Sequence, residues 1–210
     1  MAMGWRASGV GIPIDFDQRI FSFKFQHPSE LMRITPQKAL PIFYGREARN
    51  RFDCPSKSFG VMYAAYDLAT CFVETITREN NRNPLYQRGI AVSDTKDIQT
   101  RCVVKLNGSR QLKLVDMTDI TLYRLGAEAG EFNSLDYCAT TQQWSSAIFQ
   151  RPEDVDGIYY RSRFLNDRMA VAIFERGGNN VSIYASNIVP LNQHTDFCSI
   201  LSLLGVSLLS

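Results

Sequence analysis

Chemistry in this chain has to be assembled from few residue types. It has only two histidines, His27 and His194, both in polar, loop-like contexts, and no GxSxG stretch, which disfavours a serine or cysteine hydrolase triad. Cys54, Cys71, Cys102, Cys138 and Cys198 are scattered without a CxxC pair, so transition-metal ligands are in short supply and no metal is expected. A GxxxxGK loop followed by Ser or Thr is absent, and SGVGIP lacks the third glycine and the preceding strand of a dinucleotide fingerprint. What remains is arginine, tyrosine, serine and carboxylate. The stretch RFDCPSKSFGVMYAA, residues 51–65, juxtaposes such groups: a polar, proline-interrupted loop with Arg51 runs straight into an apolar segment with Tyr63 inside it.

The elements that position these groups follow from the chain's patterning. With 210 residues the chain is long enough for a core without disulfides or metals, and one domain is the default. The composition, 45% hydrophobic with 21% charged residues, is that of a folded globular protein. A net charge of +2 gives no broad field for nucleic acid or anionic membrane, so any anion site must be local and no direct nucleic-acid partner is expected. The N-terminal MAMGWRASGVGIPIDFDQ is too weakly apolar for a secretory signal, and the apolar C-terminal CSILSLLGVSLLS is too short to span a bilayer, so it reads as a docking helix or a partner-facing tail. No membrane association is expected, and the odd cysteine count fits a reducing cytoplasm.

Residues 1–30 lack periodicity and read as an irregular arm. LMRI, LPIFYG and FGVMYAAY read as strands. Asp67 is placed to cap a helix LATCFVETITREN. CVVKLN and QLKLVDM flank Asn107-Gly108, a dipeptide that favours a tight antiparallel hairpin. Thr118 and Asp119 open a short helix, residues 134–149 show helical spacing closed by Pro152, and DGIYYRSRF, MAVAIFE and VSIYA read as strands, the last two joined by RGGNN. The sum is a single α+β domain with a mostly antiparallel mixed sheet flanked by helices: an arm over 1–30, the main domain over 31–185, and an extension over 186–210.

Arg51, Tyr63 and Glu74 occur in the blocks RFDCP, GVMYAA and ATCFVET, while Arg33 occurs in LMRITP and Ser162 in DGIYYRSRF. Their order resembles the RES domain family, named for arginine, glutamate and serine, over about residues 31–176. The resemblance implies an ADP-ribosyltransferase-like fold and a toxin of a toxin–antitoxin pair that takes NAD+ as substrate and cleaves its nicotinamide–ribose bond as a glycohydrolase or phosphorylase, with no cofactor. It also implies an Xre-like antitoxin as partner, and leaves a homo-oligomer open. Arg33 and Arg51 would hold the pyrophosphate, since a guanidinium is a donor fork matched to phosphate. Tyr63 would stack on the cationic nicotinamide. Glu74 would be catalytic, with Ser162 bonding either Glu74 or the carboxamide and Arg51 counted with them in the reacting site.

Each residue has a plainer reading. Arginines commonly lie over apolar surface, and Arg46 and Arg49 stand close to Arg51. Tyr63 fits a half-buried strand, and Ser162 a sheet serine. On a helical wheel Glu74 falls opposite the sector of Leu68, Ala69, Phe72, Val73 and Ile76, hence toward solvent unless the helix rims a cleft. Trp144, Tyr160 and Arg163 could line the same cleft, though the first two read more readily as core. A protein ADP-ribosyltransferase and a non-catalytic interaction module built on FSFKFQ and LLGVSLLS remain as alternatives.

Overall fold

The computed structural model describes residues 11–77, 91–132, 140–177 and 182–209. Its strands are β1 (Phe23–Gln26), β2 (Met32–Pro36), β3 (Val61–Ala65), β4 (Ala91–Asp94), β5 (Arg101–Gly108), β6 (Leu112–Met117), β7 (Gly157–Arg161), β8 (Met169–Phe174), β9 (Ile183–Pro190) and β10 (Val206–Leu209). The helices are α1 (Leu68–Thr75), α2 (Thr95–Gln99), α3 (Asp119–Leu125), α4 (Ala129–Phe132), α5 (Thr141–Gln150) and α6 (Phe197–Leu204). An eight-stranded sheet runs β1-β6-β7-β8-β3-β2-β5-β9, and β10 pairs with β4 in a small parallel ribbon. Only β6 and β7 are parallel within the large sheet. Their crossover carries α3, α4 and α5.

β3 is an unbroken apolar run because both of its faces are buried. Val61, Tyr63 and Ala65 face the helices with Ile158, Tyr160, Ala170 and Ala172; Met62 and Ala64 face a second core of Leu31, Val104, Leu106, Leu112, Leu114, Val171 and Ile173. One departure from ideal pairing creates the site. β2 pairs with β5 over Met32–Pro36, and β3 pairs with β8 along its whole length, yet β2 and β3 meet only at Met32 and Ala65. Beyond that pair the two strands diverge, and the sheet forks.

Several expectations are corrected. LPIFYG is not a strand: Leu40 and Phe43 are exposed, and only an isolated bridge joins Gly45 to Val61. CVVKLN and QLKLVDM do form β5 and β6, but these are not neighbours. The ladder between β5 and β9 runs through Gly108 and Ile183 and is prolonged by the Ser109 N–H donating to Ser182 O at 3.1 Å, so Asn107-Gly108 continues a strand instead of reversing it. β8 and β9 are likewise not neighbours. Within the range read as an irregular arm, β1 pairs with β6, and Phe16 and Phe21 are buried. The expected helix over 134–149 is seen as α5, residues 134–139 lying outside the described ones; the helix after Asp67 ends at Thr75, short of its expected range, of which residues 78–80 lie outside the described ones.

Candidate active site

The fork holds a cleft open to solvent. β2 contributes Arg33 and Ile34 to it; β3 contributes Tyr63, Ala64 and Ala65; α1 contributes Cys71, Glu74 and Thr75; Tyr160 and Ala170 come from β7 and β8. Arg33, Tyr63 and Glu74, picked from sequence, therefore line one cavity.

Helix α1 starts where Asp67 accepts the Thr70 N–H at 2.8 Å and the Thr70 hydroxyl at 2.9 Å. From that start Leu68, Ala69, Phe72 and Val73 are buried and Glu74 is half-buried, facing the fork. Its wheel position away from the core sector points into the cleft because the helix lies along the cleft's rim. Glu74 Oε1 accepts a 2.6 Å bond from the Ser162 hydroxyl. Ser162 stands just past β7 and is fully buried. Its N–H donates to Arg168 O at 2.9 Å, and its hydroxyl accepts from the Phe164 and Leu165 N–H groups at 3.3 Å each. The serine is thus held by a turn and directs its one proton at Glu74.

Arg33 donates to Phe43 O at 3.1 Å, and Arg51 to Arg161 O at 3.2 Å. Arg51 does not line the cleft directly. Its guanidinium lies 4.9 Å from the Tyr160 ring centroid and 5.1 Å from that of Phe52, and it is only 8% exposed. Burial lowers the pKa of both arginines, yet neither loses its proton at physiological pH. The Nε of each is buried with no partner among the described residues. Among the described residues no salt bridge joins either arginine to Glu74, although Arg51 lies near enough to interact with it electrostatically. Arg46, by contrast, is half-exposed and pairs with Glu175 at 2.7 Å; Arg49, 81% exposed at its side chain, pairs with Glu47.

The Tyr63 hydroxyl donates to Asp53 Oδ1 at 2.9 Å and accepts the Phe52 N–H at 2.8 Å. Burial, then the charge of Asp53, pushes its pKa well above the usual tyrosine range. The polar loop and the apolar strand of residues 51–65 are therefore one unit, tied at this hydroxyl. Sequence reasoning passed over Asp53, Cys71 and Thr75, and ranked Tyr160 as core; Tyr160 is 3% exposed and also walls the cleft, whereas Trp144 is core alone, packed on Phe16 and Phe132. The Cys71 thiol donates to Met32 O at 3.2 Å, and burial pushes its pKa up to about 12, so it is an inert wall group. The Asp in RFDCP was the one available signal for Asp53.

The site is thus an α+β domain's forked sheet holding a serine-bonded carboxylate and the half-buried Arg33, with the buried Arg51 behind the cleft wall. Residues 30–194 match the family model described as the RES domain, and the chain belongs to that family. Among solved structures it is similar to the crystal structure of the M. tuberculosis MbcT–MbcA toxin–antitoxin complex, with a TM-score of 0.56 at 14% identity over 85% of this chain and 93% of that one, a likeness of fold. Comparison with curated proteins finds no match.

Proposed function

We propose that this protein is a toxin that cleaves the bond between nicotinamide and ribose in NAD+, its cleft being the active site. The observation that carries the reading is the 2.6 Å bond from Ser162 to Glu74 inside the fork that Arg33 and Tyr63 also line. Nicotinamide departs from a cationic ring nitrogen with the bonding electron pair and is neutral on leaving. No proton has to be supplied, unlike the two-carboxyl chemistry of ordinary glycosides. A single carboxylate then suffices, and water or inorganic phosphate, losing a proton, bonds to C1′ of the ribose as nicotinamide leaves, the outcome of a glycohydrolase or a phosphorylase. Glu74, in no salt bridge among the described residues, stabilises the positive charge that develops on the ribose, a contribution larger in the transition state than in the ground state. The Tyr63 ring presents its face to the nicotinamide. Arg33 and Arg51, each with an unpartnered Nε, supply positive charge for the pyrophosphate. An Xre-like antitoxin that covers the cleft is the partner this reading expects, in keeping with family membership and with the toxin–antitoxin complex of similar fold.

The test is release of free nicotinamide from NAD+ by the purified protein, followed chromatographically. Glu74→Ala is expected to lose at least about 100-fold in turnover, the scale of one electrostatic stabiliser. Arg33→Ala combined with Arg51→Ala is expected to raise KM. Intact NAD+ after prolonged incubation with folded protein, or near-normal turnover by the Glu74 variant, overturns the reading.

A further inference from the structure

We propose that Asp53 is a positioning residue for this site, fixing Arg51 and the Tyr63 ring relative to each other; the inference deepens, and rests on, the reading of the cleft as an NAD+ site. Asp53 is fully buried, and among the described residues no ion pair reaches it. A buried carboxylate without a cation is costly unless its oxygens are saturated with donors. Here they are. Oδ2 accepts from the Arg49 N–H at 3.0 Å, the Asn50 N–H at 2.9 Å and the Asn50 side-chain amide at 3.0 Å, and Oδ1 accepts from the Tyr63 hydroxyl at 2.9 Å.

These bonds bracket Arg51. On its N-terminal side Asp53 grips residues 49 and 50, while Gln142 of α5 donates to Ala48 O at 3.1 Å and Asn50 O at 2.8 Å. On its C-terminal side the Phe52 N–H donates to the Tyr63 oxygen, and Phe52 O accepts from Ser145 at 2.6 Å. The backbone at Arg51 is fastened before and after, and its guanidinium is thereby laid on Tyr160, a cleft wall. The same carboxylate consumes the Tyr63 proton, so Tyr63 meets a ligand with its ring and not its hydroxyl. A loop needing only a turn would be served by the Asn50 O to Asp53 N–H bond already present at 3.2 Å; the link across to the strand is what ties an arginine to the nicotinamide end.

Asp53→Asn keeps the size and removes the charge, placing an amide N–H where one set of donors requires an acceptor. With NAD+ as the probe, KM is expected to rise about tenfold, the change given by one weakened charge-assisted bond, while kcat stays within about threefold. A second readout needs no turnover: the buried Arg51 Nε–H is expected as a slowly exchanging signal in 15N–1H spectra of the parent, identified by its loss in Arg51→Lys, and to broaden or vanish in Asp53→Asn. If the parent releases no nicotinamide, the NAD+ reading fails and the Arg51 signal alone decides on positioning. A folded Asp53→Asn with unchanged KM and an unchanged Arg51 signal overturns the inference, as does a fall in kcat alone. Should Asp53→Asn not fold, Tyr63→Phe, which cuts the link at its other end, is expected to perturb the same signal, and an unperturbed one overturns the inference.

Discussion

A hydroxyl has one proton and two lone pairs, and at Ser162 all are committed: the proton to Glu74 Oε1 at 2.6 Å, the lone pairs to the N–H groups of Phe164 and Leu165. Such a group orients a carboxylate and is not free to attack. Ser162→Ala is therefore expected to lose about 10-fold to 100-fold in kcat, with KM little changed, and about 1–3 kcal/mol of stability for the two amides left without an acceptor; steady-state kinetics and urea unfolding check both. An effect on KM alone would show that Ser162 contacts substrate instead. At this scale the sequence was informative about identity and weak on orientation. It could not choose among the identical guanidinium groups of Arg46, Arg49 and Arg51, because what separates them is burial, 8% exposure at Arg51 against open solvent at Arg49, and that depends on Tyr160 more than a hundred positions away.

Elements were legible where the local signal and the tertiary demand agree. Asp67 caps α1 as its position predicts, Thr118 and Asp119 open α3, and Gly126 closes it in the left-handed conformation. Pairing was not legible where the signal is local and the partner distant: Asn107-Gly108 has hairpin chemistry, but β5 already lies between β2 and β9, and β6 belongs five places away in the sheet. Gly157 shows the same distance dependence. A Cβ there would stand 2.1 Å from Ala172 O and 3.0 Å from Ile173 Cα, both backbone atoms of β8 that cannot swing aside. Gly157→Ala must push β7 off β8, and β7 delivers Tyr160 and Ser162 to the cleft. A cost of about 2–3 kcal/mol is expected. For a chain of this size that lowers Tm by roughly 4–12 °C. Nicotinamide release should fall with it even at temperatures where the variant is folded; a variant as stable and as active as the parent would mean that β7 and β8 can separate at no cost.

Across the whole molecule the second core spans the fork, since Met62 of β3 packs in one cluster with Val104 of β5, Leu114 of β6 and Val171 of β8. The rim of that core is tyrosine: Tyr44, Tyr66 and Tyr159 pack against it, with the rings of Tyr66 and Tyr159 6.1 Å apart in an edge-on contact. Burial raises all three pKa values, Tyr44 to about 12, and the Tyr66 hydroxyl is buried without a partner. Below about pH 10 the phenols are neutral in folded and unfolded chains alike. Above it the unfolded chain releases protons that the folded one keeps, so unfolding is favoured as pH rises, and the stability present below about pH 10 drains away toward pH 12. Tyr66→Phe isolates one such group. At pH 8 it should be neutral or slightly stabilising, because it removes an unpaired buried hydroxyl and leaves the ring. Between pH 10 and 11.5 it should unfold at higher urea than the parent, the gap widening with pH. Urea midpoints measured at half-unit steps decide it: a gap that is constant with pH would mean that the Tyr66 hydroxyl ionises as readily in the folded chain as in the unfolded one, and that this side of the sheet is open to water.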